Sequence, residues 1–89
     1  MIEREVEICN ALGLHARAAA RFVRTASRFR SHVRVERGGR VMDGKSILGM
    51  LLLAATVGSR LRLLVDGEDE REALEALAAL VEGGFGEEP

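Results

Sequence analysis

The chain has no tryptophan or tyrosine, and only one cysteine, one proline and one lysine among 89 residues. Each scarcity removes a class of function. With no Trp or Tyr and three Phe, there is no row of rings on which bases could stack. A formal net charge of −1 lacks the positive field that holds a polyanionic backbone. No nucleic-acid partner is therefore expected. Cys9, the single cysteine, cannot close a disulfide within the chain or give zinc several thiolates. That usage fits a reducing, cytoplasmic compartment, and neither a metal nor a cofactor is expected. The longest nearly apolar run, Ile47 to Val57, falls short of the roughly 20 residues a helix needs to cross a bilayer. No membrane insertion is expected. The opening Met1-Ile2-Glu3-Arg4-Glu5 is charged and does not read as a secretory signal. Twelve arginines stand against one lysine, a bias that carries no functional message by itself.

What is present suits one small domain, residues 1–89. Apolar residues make up 47% of the chain, and a chain of this size buries roughly 60–65% of its unfolded surface. Ile2 to Ile8 alternates, with Ile2, Arg4, Val6 and Ile8 on one face against Glu3, Glu5 and Glu7. That is a half-buried strand with Arg4 as the exception. Cys9 to Leu14 reads as a loop. Ala16 to about Ser27 is helical by propensity and period, with Ala16, Ala19, Ala20, Val23 and Ala26 in an apolar stripe widened by Phe22 and Phe29. His32 to Glu36 and Arg40 to Asp43 read as a hairpin about Gly38-Gly39. A short helix follows Ser46, and Gly58 closes that segment. Arg60 to Asp66 is a strand with Leu61, Leu63 and Val65 on one face. Glu68, Asp69 and Glu70 suit the first turn of a last helix that Gly83-Gly84 stops. The tail Glu87-Glu88-Pro89 is expected to fray. Strands with one wet face favour antiparallel pairing. The expected fold is an α+β open-faced sandwich in the order βαββαβα, a four-stranded antiparallel sheet with three helices on one face.

One residue stands out chemically. His15 lies in Gly13-Leu14-His15-Ala16-Arg17, where the first helix begins. A helix start offers free N–H groups and partial positive charge, which suit an anion. A neutral imidazole has one nitrogen lone pair free to attack. A phosphoryl group placed on it could be met by the backbone N–H groups of Ala16 and Arg17 and by the Arg17 guanidinium. The bland alternative is a histidine that merely caps a helix. His32, at a strand start, has no such setting and reads as structural or exposed.

Three further features have two readings each. Arg17, Arg21, Arg24 and Arg28 recur along one side of the first helix. They form either a solvated basic face or a docking surface for an acidic partner. Ser46 is either an N-cap, worth about 1 kcal/mol, or a phosphorylation site on a helix N-terminus. Residue chemistry favours the cap. The helix after Ser46 is apolar almost all round, so Ile47, Leu48, Met50 and Leu51 should include exposed positions that mark an interface. Leu51 to Ala55 should face inward.

Gly13-Leu14-His15-Ala16-Arg17 before an alanine-rich helix resembles the active-site motif of HPr, the histidine-containing phosphocarrier family of the bacterial phosphoenolpyruvate:sugar phosphotransferase system. Gly44-Lys45-Ser46-Ile47-Leu48-Gly49-Met50 resembles that family's second signature, and the closing helix its C-terminal helix. The resemblance spans essentially the whole chain. It implies that His15 accepts a phosphoryl group at Nδ1 from phospho-enzyme I and passes it to IIA domains of sugar permeases, with Arg17 binding the phosphate. It implies a regulatory role for Ser46 where an HPr kinase/phosphorylase exists, with a transcriptional regulator downstream. Arg21, Arg24, Ile47, Leu48 and Met50 would form the partner surface of a cytoplasmic monomer that carries a group without turnover of its own. Ala18 stands where many members have proline, a feature shared with members of the nitrogen-regulatory branch. A different reading is a regulatory binding module controlled through Ser46, and a third is a ligand-binding domain without phosphorylation.

Overall fold

The computed structural model describes residues 1–87. Four strands and three α-helices follow one another as β1 (Ile2–Glu7), α1 (Ala16–Ala26), β2 (His32–Arg37), β3 (Arg40–Asp43), α2 (Ile47–Leu52), β4 (Arg60–Asp66) and α3 (Glu70–Glu82). The sheet is antiparallel throughout, in the order β1-β4-β2-β3. This is the expected open-faced sandwich.

Register explains which face is covered. Val6 lies opposite Leu61 and Val35 opposite Leu63, so the inward residues of neighbouring strands stack in rows. These four, with Ile8, Val33 and Val65, are buried. From the helices, Ala18, Ala19, Phe22 and Ala26 of α1 and Ala73, Leu77, Ala78 and Val81 of α3 complete the core. Glu5, Glu7, Arg34, Arg60 and Arg62 stay on the wet face. Arg4 does sit on the helix-covered face. It does so at the sheet edge, where its guanidinium reaches Glu82 of α3 at 3.0 Å. Both partners are about half exposed, so the pair orders the edge more than it stabilises it.

Helix α2 corrects two expectations. Met50 is fully buried and takes no part in the surface. Leu51 and Leu52 are exposed, while Leu53 and Ala55 are buried. The cause is helical geometry. Residues 49, 50 and 53 share one side of a 100° wheel, and an added Cβ at buried Gly49 would make a tight contact, 3.3 Å from the Asp43 carbonyl and the Ser46 side chain. That side packs inward, with Met50 and Leu53 in the core, and leaves Ile47, Leu48, Leu51 and Leu52 outside. The helix ends at Leu52, well before Gly58. Its last carbonyls are met by the hairpin: Arg37 donates to Leu53 O at 3.1 Å and Arg40 to Leu52 O at 2.8 Å. Cationic donors suit a helix C-terminus.

The end of the chain corrects a third. After α3 a single 3-10 turn, Gly84–Gly86, brings Phe85 into the core with 1% exposure. Glu87 is half-buried and hydrogen-bonded, so it is not frayed. An aromatic ring burying its whole surface holds the segment down. Glu88 and Pro89, the rest of the tail expected to fray, lie outside the described residues.

Candidate functional site

His15 is the N-cap of α1. Its backbone is extended (φ −79°, ψ 178°), and its carbonyl accepts from Ala19 N–H at 2.8 Å, the first bond of the helix. The chain reaches this position through a tight loop. Gly13 takes φ +67°, and a Cβ there would stand 2.6 Å from the Ala55 carbonyl. Leu14 N–H donates to that same carbonyl at 2.9 Å, and Leu14 is buried. Gly13 and Leu14 therefore pin the loop to the segment after α2, and His15 emerges at a fixed place. His15 N–H donates to Gly13 O at 3.0 Å.

Both ring nitrogens of His15 are engaged. Nδ1 accepts from the Arg17 backbone N–H at 3.2 Å. Nε2 meets a carboxylate oxygen of Glu87. An acceptor at Nε2 and a donor at Nδ1 select one neutral tautomer, with the proton on Nε2 and the lone pair on Nδ1. The imidazole remains 27% exposed.

Glu87 is itself held. Asn10 Nδ2 donates to Glu87 Oε1 at 2.8 Å and to Gly13 O at 2.8 Å. The Asn10 amide, then the His15 ring, hold the Glu87 carboxyl below its ordinary value. Each favours the ionised form. Arg21 donates to the Phe85 carbonyl, which fastens the 3-10 turn to α1. Phe85 adopts φ +58°, an uncommon conformation for a bulky residue. Here the buried ring and the Arg21 bond sustain it.

His15, Ala16, Arg17, Arg21, Leu12 and Glu87 line one open depression of about 640 Å³. Arg17 is exposed, and no ion pair holds its guanidinium among the described residues. The first-turn N–H of Ala16 has no acceptor within the helix. The structure thus brings His15, Ala16 and Arg17 together. Ser46 and the α2 surface are not among the residues lining this depression. Ser46 is the N-cap of α2: its Oγ accepts from Gly49 N–H at 3.0 Å. Arg24 is exposed, whereas Arg21 is half-buried against the turn.

Sequence reasoning missed Glu87, Asn10 and the Arg21–Phe85 clasp. A signal existed in Gly83-Gly84-Phe85-Gly86. A lone aromatic among glycines marks a segment that bends sharply and anchors by one side chain, and a segment so anchored does not fray at the next residue.

Fold and site together define a class: small α+β sandwiches that present an imidazole at a helix N-terminus beside an exposed arginine. Residues 2–83 match the family described as PTS HPr component phosphorylation site. The phosphocarrier protein HPr of Cupriavidus necator is 49% identical over 87 residues, 98% of either chain. The crystal structure of HPr from Thermoanaerobacter tengcongensis covers 100% of both chains with a TM-score of 0.96 and 46% identity. The HPr-like protein Crh of Bacillus subtilis is 46% identical over 82 residues, 92% of this chain and 96% of that one. The chain belongs to the HPr family of phosphocarrier proteins. No helix among the described residues is long and apolar enough to cross a membrane.

Proposed function

We propose that this protein carries a phosphoryl group on His15 Nδ1, accepting it from phospho-enzyme I and passing it to IIA domains of sugar permeases. The observation that carries this reading is the pairing of the two ring nitrogens: Nε2 faces a carboxylate and Nδ1 holds its lone pair under a helix N-terminus. The Nδ1 lone pair attacks phosphorus as the donor's bond to phosphorus breaks and the donor keeps that electron pair. The 3.2 Å bond from Arg17 N–H is long and readily given up. Once phosphorus occupies Nδ1, the N–H groups of Ala16 and Arg17 and the Arg17 guanidinium can donate to the phosphoryl oxygens. An open depression with one exposed arginine holds the group without trapping it, as a carrier requires. The protein is not a turnover enzyme. It acts in the cytoplasm as a monomer and needs no cofactor for this step. Exposed Arg17 and Arg24 with Ile47 and Leu48 supply a basic and apolar docking face for its partners. Incubation with enzyme I and phosphoenolpyruvate should give an acid-labile, base-stable phosphoprotein, and His15→Ala should abolish it. Normal labelling of that variant would overturn the reading.

A second reading is regulation through Ser46, by an HPr kinase/phosphorylase and a transcriptional regulator. Ser46 is half-buried, and it caps the helix whose outer face is Ile47, Leu48, Leu51 and Leu52. A dianion there would keep the Gly49 N–H as a donor and change the charge beside an apolar patch. A gain of one phosphate mapped to Ser46, with ATP and that kinase, supports this role. An unmodified Ser46 after such treatment excludes it.

A further inference from the structure

The contact between Glu87 and His15 does more than fill space beside the ring. The carboxylate arrives from the far end of the chain, 72 positions away. Three separate interactions deliver it: the Asn10 amide on Oε1, the Arg21 bond to Phe85 O, and burial of the Phe85 ring. Asn10 also binds Gly13 O, so one side chain ties the carboxylate to the loop that positions the imidazole. Among the described residues, the groups facing the ring are Glu87 at Nε2 and the Arg17 N–H at Nδ1, with the Arg17 and Arg21 guanidinium groups lining the same depression.

We propose that Glu87 is the positioning residue of this carrier, keeping a proton on His15 Nε2 through both halves of the transfer cycle. This rests on the phosphoryl-carrier reading of His15. In the resting protein the proton sits on Nε2, and the Nδ1 lone pair accepts the 3.2 Å bond from the Arg17 N–H that it gives up on attack. When Nδ1 forms its bond to phosphorus, the ring keeps that proton and becomes a phosphorylated imidazolium, and its new positive charge lies against the Glu87 carboxylate. On transfer the N–P bond breaks, its electron pair returns to Nδ1, and a neutral imidazole is regenerated. No proton is exchanged with water in either step. Loss of the Nε2 proton would leave an imidazolide as leaving group, which departs far less readily. Glu87 therefore maintains the transferable form of the phosphorylated ring, in the way a buried carboxylate orients and supports a catalytic histidine in hydrolases.

Two measurements test this independently. On the unphosphorylated protein, 15N-resolved imidazole spectra above neutral pH should show an Nε2–H signal shifted downfield and slowed in exchange. Glu87→Ala should lose that protection, with the remaining amide spectrum unchanged outside the neighbourhood of the site. An identical Nε2–H signal in the variant would overturn the proposal, whatever His15 carries. On the phosphorylated protein, the rate of phosphoryl transfer to an acceptor should fall at alkaline pH, and Glu87→Gln should move that fall to lower pH by about 0.5–1 unit. Glu87→Asp should move it less. A merely structural role would lower the rate equally at all pH values, and a superimposable pH profile in Glu87→Gln would contradict the proposal. If the wild-type chain takes no phosphoryl group from enzyme I, the carrier reading fails, while the spectra still decide whether Glu87 fixes the tautomer.

Discussion

Gly13 shows how much of the site depends on a residue with no functional group. Its φ of +67° is open to glycine, and the space where a Cβ would stand lies 2.6 Å from the Ala55 carbonyl oxygen. An added methyl group must push the loop away from the segment after α2. Gly13→Ala should cost about 1–3 kcal/mol in urea denaturation. It should also slow phosphorylation of His15 more than the lost stability explains, because Leu14 and His15 follow the displaced backbone. A variant of wild-type stability and rate would show that the close approach is not needed. The place of His15 at the start of α1 was legible from its neighbours. Its Glu87 partner was not, because a contact across most of the chain leaves no mark in local periodicity.

At the scale of the element, α2 separates packing from surface. Met50 is fully buried and Leu48 is 67% exposed, two residues apart on a six-residue helix. Met50→Ala should destabilise the fold by about 2–5 kcal/mol. Leu48→Ala should stay within about 0.5 kcal/mol of wild type and still weaken docking to enzyme I and IIA domains, read as a raised Kd in titration calorimetry. The opposite pattern would place Leu48 in the core role and remove the outer face of α2 from the proposed docking face. The inward side of this helix could not be read from sequence. When almost every position is apolar, periodicity carries no direction. The strands were legible for the converse reason: alternation in Arg60–Asp66 names its own buried face. The arginines that close α2, Arg37 and Arg40, lie on a hairpin whose proximity to the helix is set by the tertiary fold.

Across the whole molecule, Asp69 joins the start of α3 to the turn before β2. Its carboxylate accepts from Ser31 Oγ at 2.5 Å, Ser31 N at 3.0 Å and Arg30 N at 2.9 Å. The Ser31 hydroxyl, then the Arg30 N–H, pull its carboxyl from the ordinary 3.8 down to about 2. A group lowered on folding stabilises the native state fully above its unfolded value and loses that contribution as pH falls through its folded value. The Asp69 contribution is therefore present above about pH 4 and is lost as pH falls through about 2. Asp69→Asn should lower the melting temperature at pH 7 and give a flatter stability curve between those limits. An unchanged slope would remove Asp69 from the acid response. The same sandwich holds His15 with its lone pair on Nδ1, and that choice of nitrogen is the central claim. It is tested most directly by phosphorylating the protein with enzyme I and phosphoenolpyruvate and reading the 31P–15N connectivity of the modified ring. A single phosphohistidine at His15, bonded through Nδ1, is the predicted result. A phosphoryl group on Nε2, or on any residue other than His15, would contradict it.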